Sequence, residues 1–272
     1  MTMQPFPNLA ESRLADAIRA VGNPGFEMAL LAFLQAVCAP DNLLILAFRS
    51  AGPPQVLFRH SATPQVFARL DQTYLAGAYR LDPFYDLHLR HAPPGSYRIA
   101  EIAPDAFHRS RYFIEYYEQT TLVDEITFVA YPTAGVTLNI CIGRDGATGQ
   151  PFSAREVETC TRVAPLVLAI AEPHWAHLAR ALGPAEDTSA LLAEAARDRR
   201  GIHLSPRQAE VALMILRGHS TASIALRLSL SSQTIKVFRK QLYTRCGISS
   251  QAELFALMLP LLKTRAKDGK AS

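Results

Sequence analysis

Between Leu204 and Leu254 apolar residues recur at helical spacing, and each run is bracketed by residues that start or stop a helix. Ser205 followed by Pro206 supplies an N-cap and a proline at the first helical position, with Gln208 placed to close a capping box. Val211, Met214 and Ile215 form the apolar stripe, and Gly218 suits the stop. Ser220 caps a second helix whose Ile224, Ala225 and Leu228 face inward, and Ser229 and Leu230 make the turn. Ser231 caps a third helix running to about Cys246 and ending at Gly247, with Ile235, Leu242 and Cys246 on its buried side. Ser250 and Glu253 offer a capping box for a fourth, with Leu254, Leu257 and Met258 apolar. On the third helix Lys236, Arg239, Lys240 and Tyr243 fall at i, i+3, i+4 and i+7 and share one face. A compact helix set with a basic third helix is suited to the DNA major groove.

The preceding residues alternate between periods. Leu14–Val21 and Phe26–Val37 predict amphipathic helices; Leu43–Phe48 and Val56–Phe58 predict strands about a Gly52-Pro53-Pro54 turn. Helices are expected over Phe67–Tyr79 and Pro83–His91, a short strand over Tyr97–Ile99, and a helix over Ser110–Gln119. Thr127–Tyr131 and Val136–Ile142 predict a hairpin. A long helical stretch runs over Ser153–Arg180, capped by Ser153 and Glu156, with a bend expected near Pro165 and Pro173. The expected class is α+β: an N-terminal α/β sandwich of the PAS or GAF kind over residues 1–182, a linker over 183–201, an all-α helix-turn-helix domain over 202–265, and a disordered tail over 266–272. A short helix over Thr188–Arg199 fits within the linker.

Charge separates the two halves. Residues 197–272 hold 14 Lys+Arg against 4 Asp+Glu, whereas residues 1–196 hold 14 against 20. Lys236, Arg239 and Lys240 alone could be an ordinary solvated face, but a basic module set against an acidic front domain is what phosphate binding by counterion release favours. At 272 residues and 49% hydrophobic the chain suits two domains with real cores. It has neither an apolar run of ~20 residues nor a signal-peptide start, so the expectation is a cytoplasmic protein that does not engage a membrane. Cys38, Cys141, Cys160 and Cys246 are scattered and read as buried free thiols. His174 and His177 sit at i, i+3 without a third ligand nearby in sequence, so no metal is expected. Gly143–Gly149 lacks the tail of a phosphate-binding loop, and no nucleophile, base and orienting acid form a motif. The chain is therefore expected to be no enzyme and to carry no cofactor.

The C-terminal residues resemble the DNA-binding domain of LuxR-type transcriptional regulators. Leu204, Ser205, Arg207, Glu210, Val211, Gly218, Ile224, Ala225, Ser231, Thr234, Ile235, Lys236 and Gly247 meet that family's pattern. Gln208, Phe238 and Cys246 depart from the usual Glu, His and Leu, and Gln208 replaces an acid that pairs with an arginine. The resemblance implies that Lys236, Val237 and Lys240 approach base edges and that Thr234 and Arg239 contact phosphate. An aspartyl-phosphate receiver, often found ahead of such modules, is excluded: Leu43–Phe48 ends without acids, and no lysine precedes Lys236.

Tyr74, Tyr79, Phe84, Tyr85 and Tyr97 surround Asp82-Pro83, and Asp124-Glu125 precede a strand. This stretch partly resembles the acyl-homoserine-lactone domain of quorum-sensing LuxR proteins. Asp82-Pro83 matches its Asp-Pro pair, and Tyr97 stands at the spacing of a pocket Trp. Tyr74 is one residue out of register and the pocket tryptophans are absent. The chain looks more like the LuxR "solo" group, which senses other molecules. A carboxylate among aromatic rings suits a cationic or N–H-donating small molecule, possible contacts being Tyr74, Tyr79, Asp82, Phe84, Tyr85, Tyr97, Asp124 and Glu125. Asp-Pro is also a common helix start, with Asp as N-cap. The expected partners are double-stranded DNA with a palindromic operator, a small-molecule effector, amine-containing if Asp82 binds it, and a second copy of the chain. The alternative is a metabolite-binding protein or enzyme with an incidental basic helical tail.

Overall fold

The computed structural model describes residues 9–178 and 186–263. The expected tail over 266–272 and the first residues of the expected linker, 183–185, lie outside the described residues. In chain order the elements are α1 (Ala10–Ala20), α2 (Phe26–Cys38), β1 (Asn42–Phe48), β2 (Gln55–Ser61), α3 (Pro83–Leu89), β3 (Gly95–Arg98), α4 (Ile99–Ile102), α5 (Arg111–Glu115), β4 (Asp124–Thr133), β5 (Val136–Arg144), α6 (Ala154–His174), α7 (Thr188–Arg200), α8 (Pro206–Arg217), α9 (Thr221–Arg227), α10 (Ser232–Cys246) and α11 (Gln251–Leu262). No described helix is long and apolar enough to cross a membrane. The chain divides into two compact units. One takes Leu87–Ile102 with the described parts of Met1–Val66 and Thr121–Ala185; the other takes Phe67–Asp86, Ala103–Thr120 and the described part of Glu186–Ser272.

The first unit is built on an antiparallel sheet of order β2-β1-β5-β4-β3. Alternation along each strand sorts its side chains between two faces. Leu43, Ile45 and Ala47 of β1, Leu138, Ile140 and Ile142 of β5, and Ile126, Phe128 and Ala130 of β4 join one core with α1, α2 and α6. The other face places Thr127, Thr137, Asn139 and Cys141 in buried positions. Helix α6 starts at the expected capping box of Ser153 and Glu156 and continues through both prolines, Pro165 lying on its exposed side.

Two expected helices are reshaped. Residues 64–81 form short 3-10 and π turns, Pro64–Phe67, Leu70–Tyr74 and Ala78–Leu81, where one helix over 67–79 was predicted. Packing remote in sequence overrides the local pattern there. A Cβ on Gly77 would lie 2.5 Å from the Leu262 carbonyl, so the chain runs against the end of α11 at backbone distance. The helix predicted over 110–119 is α5, capped by the Ser110 hydroxyl accepting from the Phe113 amide, and then a 3-10 turn over Tyr117–Thr120. Aromatic rings join these segments: Tyr74 stacks on Tyr116 at 5.7 Å, Tyr116 on Tyr112 at 5.4 Å, and Tyr79 meets Tyr85 edge-on at 5.1 Å.

The remaining helices form a bundle whose interior holds Val211, Ala212, Ile215, Leu216, Ile224, Ile235, Leu242, Leu254 and Met258. Helices α8 to α10 start at Ser205, Ser220 and Ser231, each serine hydroxyl accepting an amide three residues on, and α8 and α10 end at Gly218 and Gly247. Ser250 caps α11 in the same way. The stretch read as a linker contributes α7, capped by Asp187, with Leu192 and Ala196 fully buried. Arg80 pairs with Glu186 through two hydrogen bonds, 2.6 and 2.8 Å, and donates to the Leu262 carbonyl at 2.7 Å. Arg217 at the end of α8 donates to the Arg80 carbonyl and to Asp86, both at 3.2 Å.

Candidate nucleic-acid interface

Helix α10 is held by its buried Ile235 and Leu242, which pack it on α8 and α9. At about 100° per residue, Lys236, Val237 and Lys240 fall on the opposite side. All three are exposed, and Val237 remains 46% accessible although it is apolar. Two ammonium groups beside a solvated branched aliphatic side chain are suited to a groove edge, where cations meet base or phosphate oxygens and the aliphatic group meets a thymine methyl.

The flank of the helix is built differently. Arg239 is partly buried, donating to the Thr221 hydroxyl at 3.2 Å and to Tyr243 at 3.4 Å, with its guanidinium over the Tyr243 ring at 5.9 Å. Thr234 shares a 2.7 Å hydroxyl–hydroxyl bond with the cap residue Ser231. Arg239 and Thr234 are thus braced at the start of α9 and α10, while Lys236 and Lys240 are extended into solvent. Gln208, in place of the usual acid, receives the Ser205 amide at 3.1 Å and Arg245 at 3.0 Å. Arg245 also donates to the His203 carbonyl at 2.7 Å. A neutral amide thereby keeps the brace between α8 and α10 without an ion pair.

The residues expected to contact an effector divide between the two units. Tyr74, Tyr79, Asp82, Phe84 and Tyr85 belong to the second and are all buried. The Tyr74 hydroxyl donates to Asp82 Oδ2 at 2.7 Å, and the Phe84 amide donates to Asp82 Oδ1 at 2.8 Å. Asp82 therefore caps α3, and each oxygen retains a lone pair. Burial pushes its carboxyl up to about 6, against the pull of those two donors.

Tyr97, Asp124 and Glu125 lie on β3 and β4 of the first unit. Tyr97 donates to the Pro93 carbonyl at 2.6 Å. Asp124 receives Arg98 at 2.6 Å and the Phe152 and Glu125 amides at 3.0 and 2.9 Å, tying β3 to β4 and to the chain entering α6. Glu125 is partly buried on the same strand. Sequence reasoning passed over Thr127, Thr137 and Asn139 on the sheet's second face, and His88 beside them. His88 Nε2 lies 3.0 Å from the Arg49 carbonyl, which can only accept, so Nε2 carries a proton, and Nδ1 is hydrogen-bonded with the Thr137 hydroxyl at 2.8 Å. The Val-Thr-Leu-Asn-Ile-Cys-Ile alternation of β5 carried that signal.

Residues 203–258 match the model of bacterial regulatory proteins of the luxR family, GerE. A protein named as an HTH-type transcriptional regulator in the exeN 3'region of Aeromonas salmonicida is 28% identical over 189 residues, covering 67% of this chain and 95% of the relative. Among solved structures, the VqsR LBD domain of Pseudomonas aeruginosa has a TM-score of 0.52 at 21% identity over 61% of this chain and 96% of that one, a likeness of fold. SdiA of Escherichia coli covers 97% of this chain and 94% of its own at a TM-score of 0.37 and 14% identity. With their capped helices, exposed basic face and family match, residues 203–258 form a helix-turn-helix domain of the kind found in bacterial regulatory proteins of the luxR family.

Proposed function

We propose that the chain acts as a homodimer on a palindromic operator in double-stranded DNA, under the control of a small molecule bound beside Asp82. The observation that carries the DNA part is the face of α10, where Lys236, Val237 and Lys240 stand exposed opposite the buried Ile235 and Leu242. In this reading those three approach base edges, and Thr234 and Arg239, braced at the helix starts, take phosphates. Two-fold symmetry presents two such helices to half-sites about one helical turn apart.

The effector part is supported by the fold shared with a domain named LBD and by the polar groups that the fold buries. Asp82 is the assigned contact for a cationic or N–H-donating group, since its oxygens keep acceptor capacity beyond Tyr74 and Phe84. Tyr74, Tyr79, Phe84 and Tyr85 supply the aromatic surroundings. An effector acts by binding one arrangement of the chain more tightly than another, which shifts the population competent for DNA.

Calorimetry of the full chain against a panel of amines, amino acids and lactones tests this. One class is expected to bind, to lose affinity at least ~10-fold in Asp82→Ala, and to alter DNA affinity in a gel shift. Unchanged effector affinity in Asp82→Ala removes Asp82 from the site. Binding without any effect on DNA affinity removes the control.

A further inference from the structure

The exposed face of α10 extends one turn beyond the residues assigned above. Gln233 is the second residue of α10 and is exposed. At about 100° per residue, the buried Leu242 and Ile235 lie about 180° and 200° round the helix from it. Lys236, Val237 and Lys240 follow at i+3, i+4 and i+7, so Gln233 is on the same side as they are. Among the described residues its side chain has no hydrogen-bond partner. The other long polar side chains near this face differ. Arg245 is spent on His203 and Gln208, and Gln241 stands two turns further toward the C-terminus. Recognition helices present their N-terminal residues to the base edges.

We propose that Gln233 reads an adenine in each half-site. This rests on the reading of α10 as the DNA-contacting helix. The primary amide has an acceptor and a donor side by side. Its oxygen accepts from the adenine N6 amino group while its nitrogen donates to N7, a pairing that the other three base-pair edges cannot satisfy. The face then carries three chemistries: an amide for adenine, a branched aliphatic group for a thymine methyl, and ammonium groups on either side of it for guanine or phosphate oxygens. The operator half-site accordingly contains an adenine that Lys236 and Lys240 alone do not demand.

Selection of the full-length protein, Q233A and Q233E from a pool of randomised duplex DNA, followed by anisotropy titration of the selected site and its single-base variants, tests the assignment. The wild type is expected to select a site with one adenine whose replacement costs about 5- to 100-fold in affinity. Q233A should lose that preference at that base pair and keep the others. Q233E should exchange it for cytosine, whose N4 amino group donates to a carboxylate. If the wild type selects a site and Q233A retains every preference, the assignment of Gln233 is overturned while α10 remains the reading helix. If the wild type selects no site and binds no duplex, the reading of α10 fails and this assignment with it.

Discussion

One buried and one partly buried group in the second unit give opposite pH dependences. Desolvation raises Asp82 to about 6, and burial, followed by Arg227 and Arg217, holds His219 down to about 4. The unfolded chain has the ordinary values of 3.8 and 6.5. Between pH 4 and 6 the folded Asp82 holds more proton than the unfolded one, so its contribution to stability falls as pH rises. Over roughly pH 4 to 6.5 the unfolded histidine holds more proton than the folded one, so its contribution rises with pH. The two offset each other in the wild type. Asp82→Asn removes the falling branch: relative to wild type its unfolding free energy should climb by on the order of 2 kcal/mol from pH 4 to 6.5. His219→Gln should diverge in the other direction. Urea unfolding at stepped pH measures both, and parallel profiles for wild type and Asp82→Asn would refute the burial of a raised carboxyl. At this scale the sequence revealed half of the Asp82 environment. The cap on α3 follows from Asp82-Pro83, whereas Tyr74 reaches the carboxylate only because the preceding turns are irregular.

Among the elements, legibility followed locality. Helices α8 to α11 could be read because each starts on its own serine, and α8 and α10 stop on their own glycines. The hairpin of β4 and β5 was legible from alternation. Residues 64–81 were not, since Gly77 and the stacked tyrosines are placed by residues far along the chain. The two helix-ending glycines show the distinction energetically. Both have positive φ, 92° at Gly218 and 65° at Gly247. A Cβ at Gly218 would lie 2.9 Å from the Phe107 Cα, while one at Gly247 meets nothing within 4 Å. Gly247→Ala should therefore cost only the left-handed penalty of about 1–2 kcal/mol. Gly218→Ala should cost more, roughly 3 kcal/mol or above, because backbone must also shift. Equal losses in denaturant titrations would mean that α8 does not end against Phe107.

For the whole molecule, the charge split between an acidic front and a basic C-terminal region anticipated a segregated DNA-binding module, and the family match over 203–258 bears that out. The pattern also anticipated an antiparallel sheet flanked by helices. The sequence did not show that Phe67–Asp86 and Ala103–Thr120 belong to the same compact unit as the DNA-binding helices. That grouping depends on contacts such as Arg217 to Asp86 and Ala106 to Gly218, which have no signature in the periodicity of either partner.

In the proposed function the exposed face of α10 carries DNA binding. Anisotropy of labelled duplex DNA with the full chain, from about 50 to 200 mM salt, tests it most directly. Log affinity should fall linearly with log salt, and Lys236→Ala/Lys240→Ala should lose at least ~10-fold while retaining the wild-type circular dichroism and urea midpoint. Salt-independent binding, or a double variant that binds as the wild type does, would rule out DNA binding through this face.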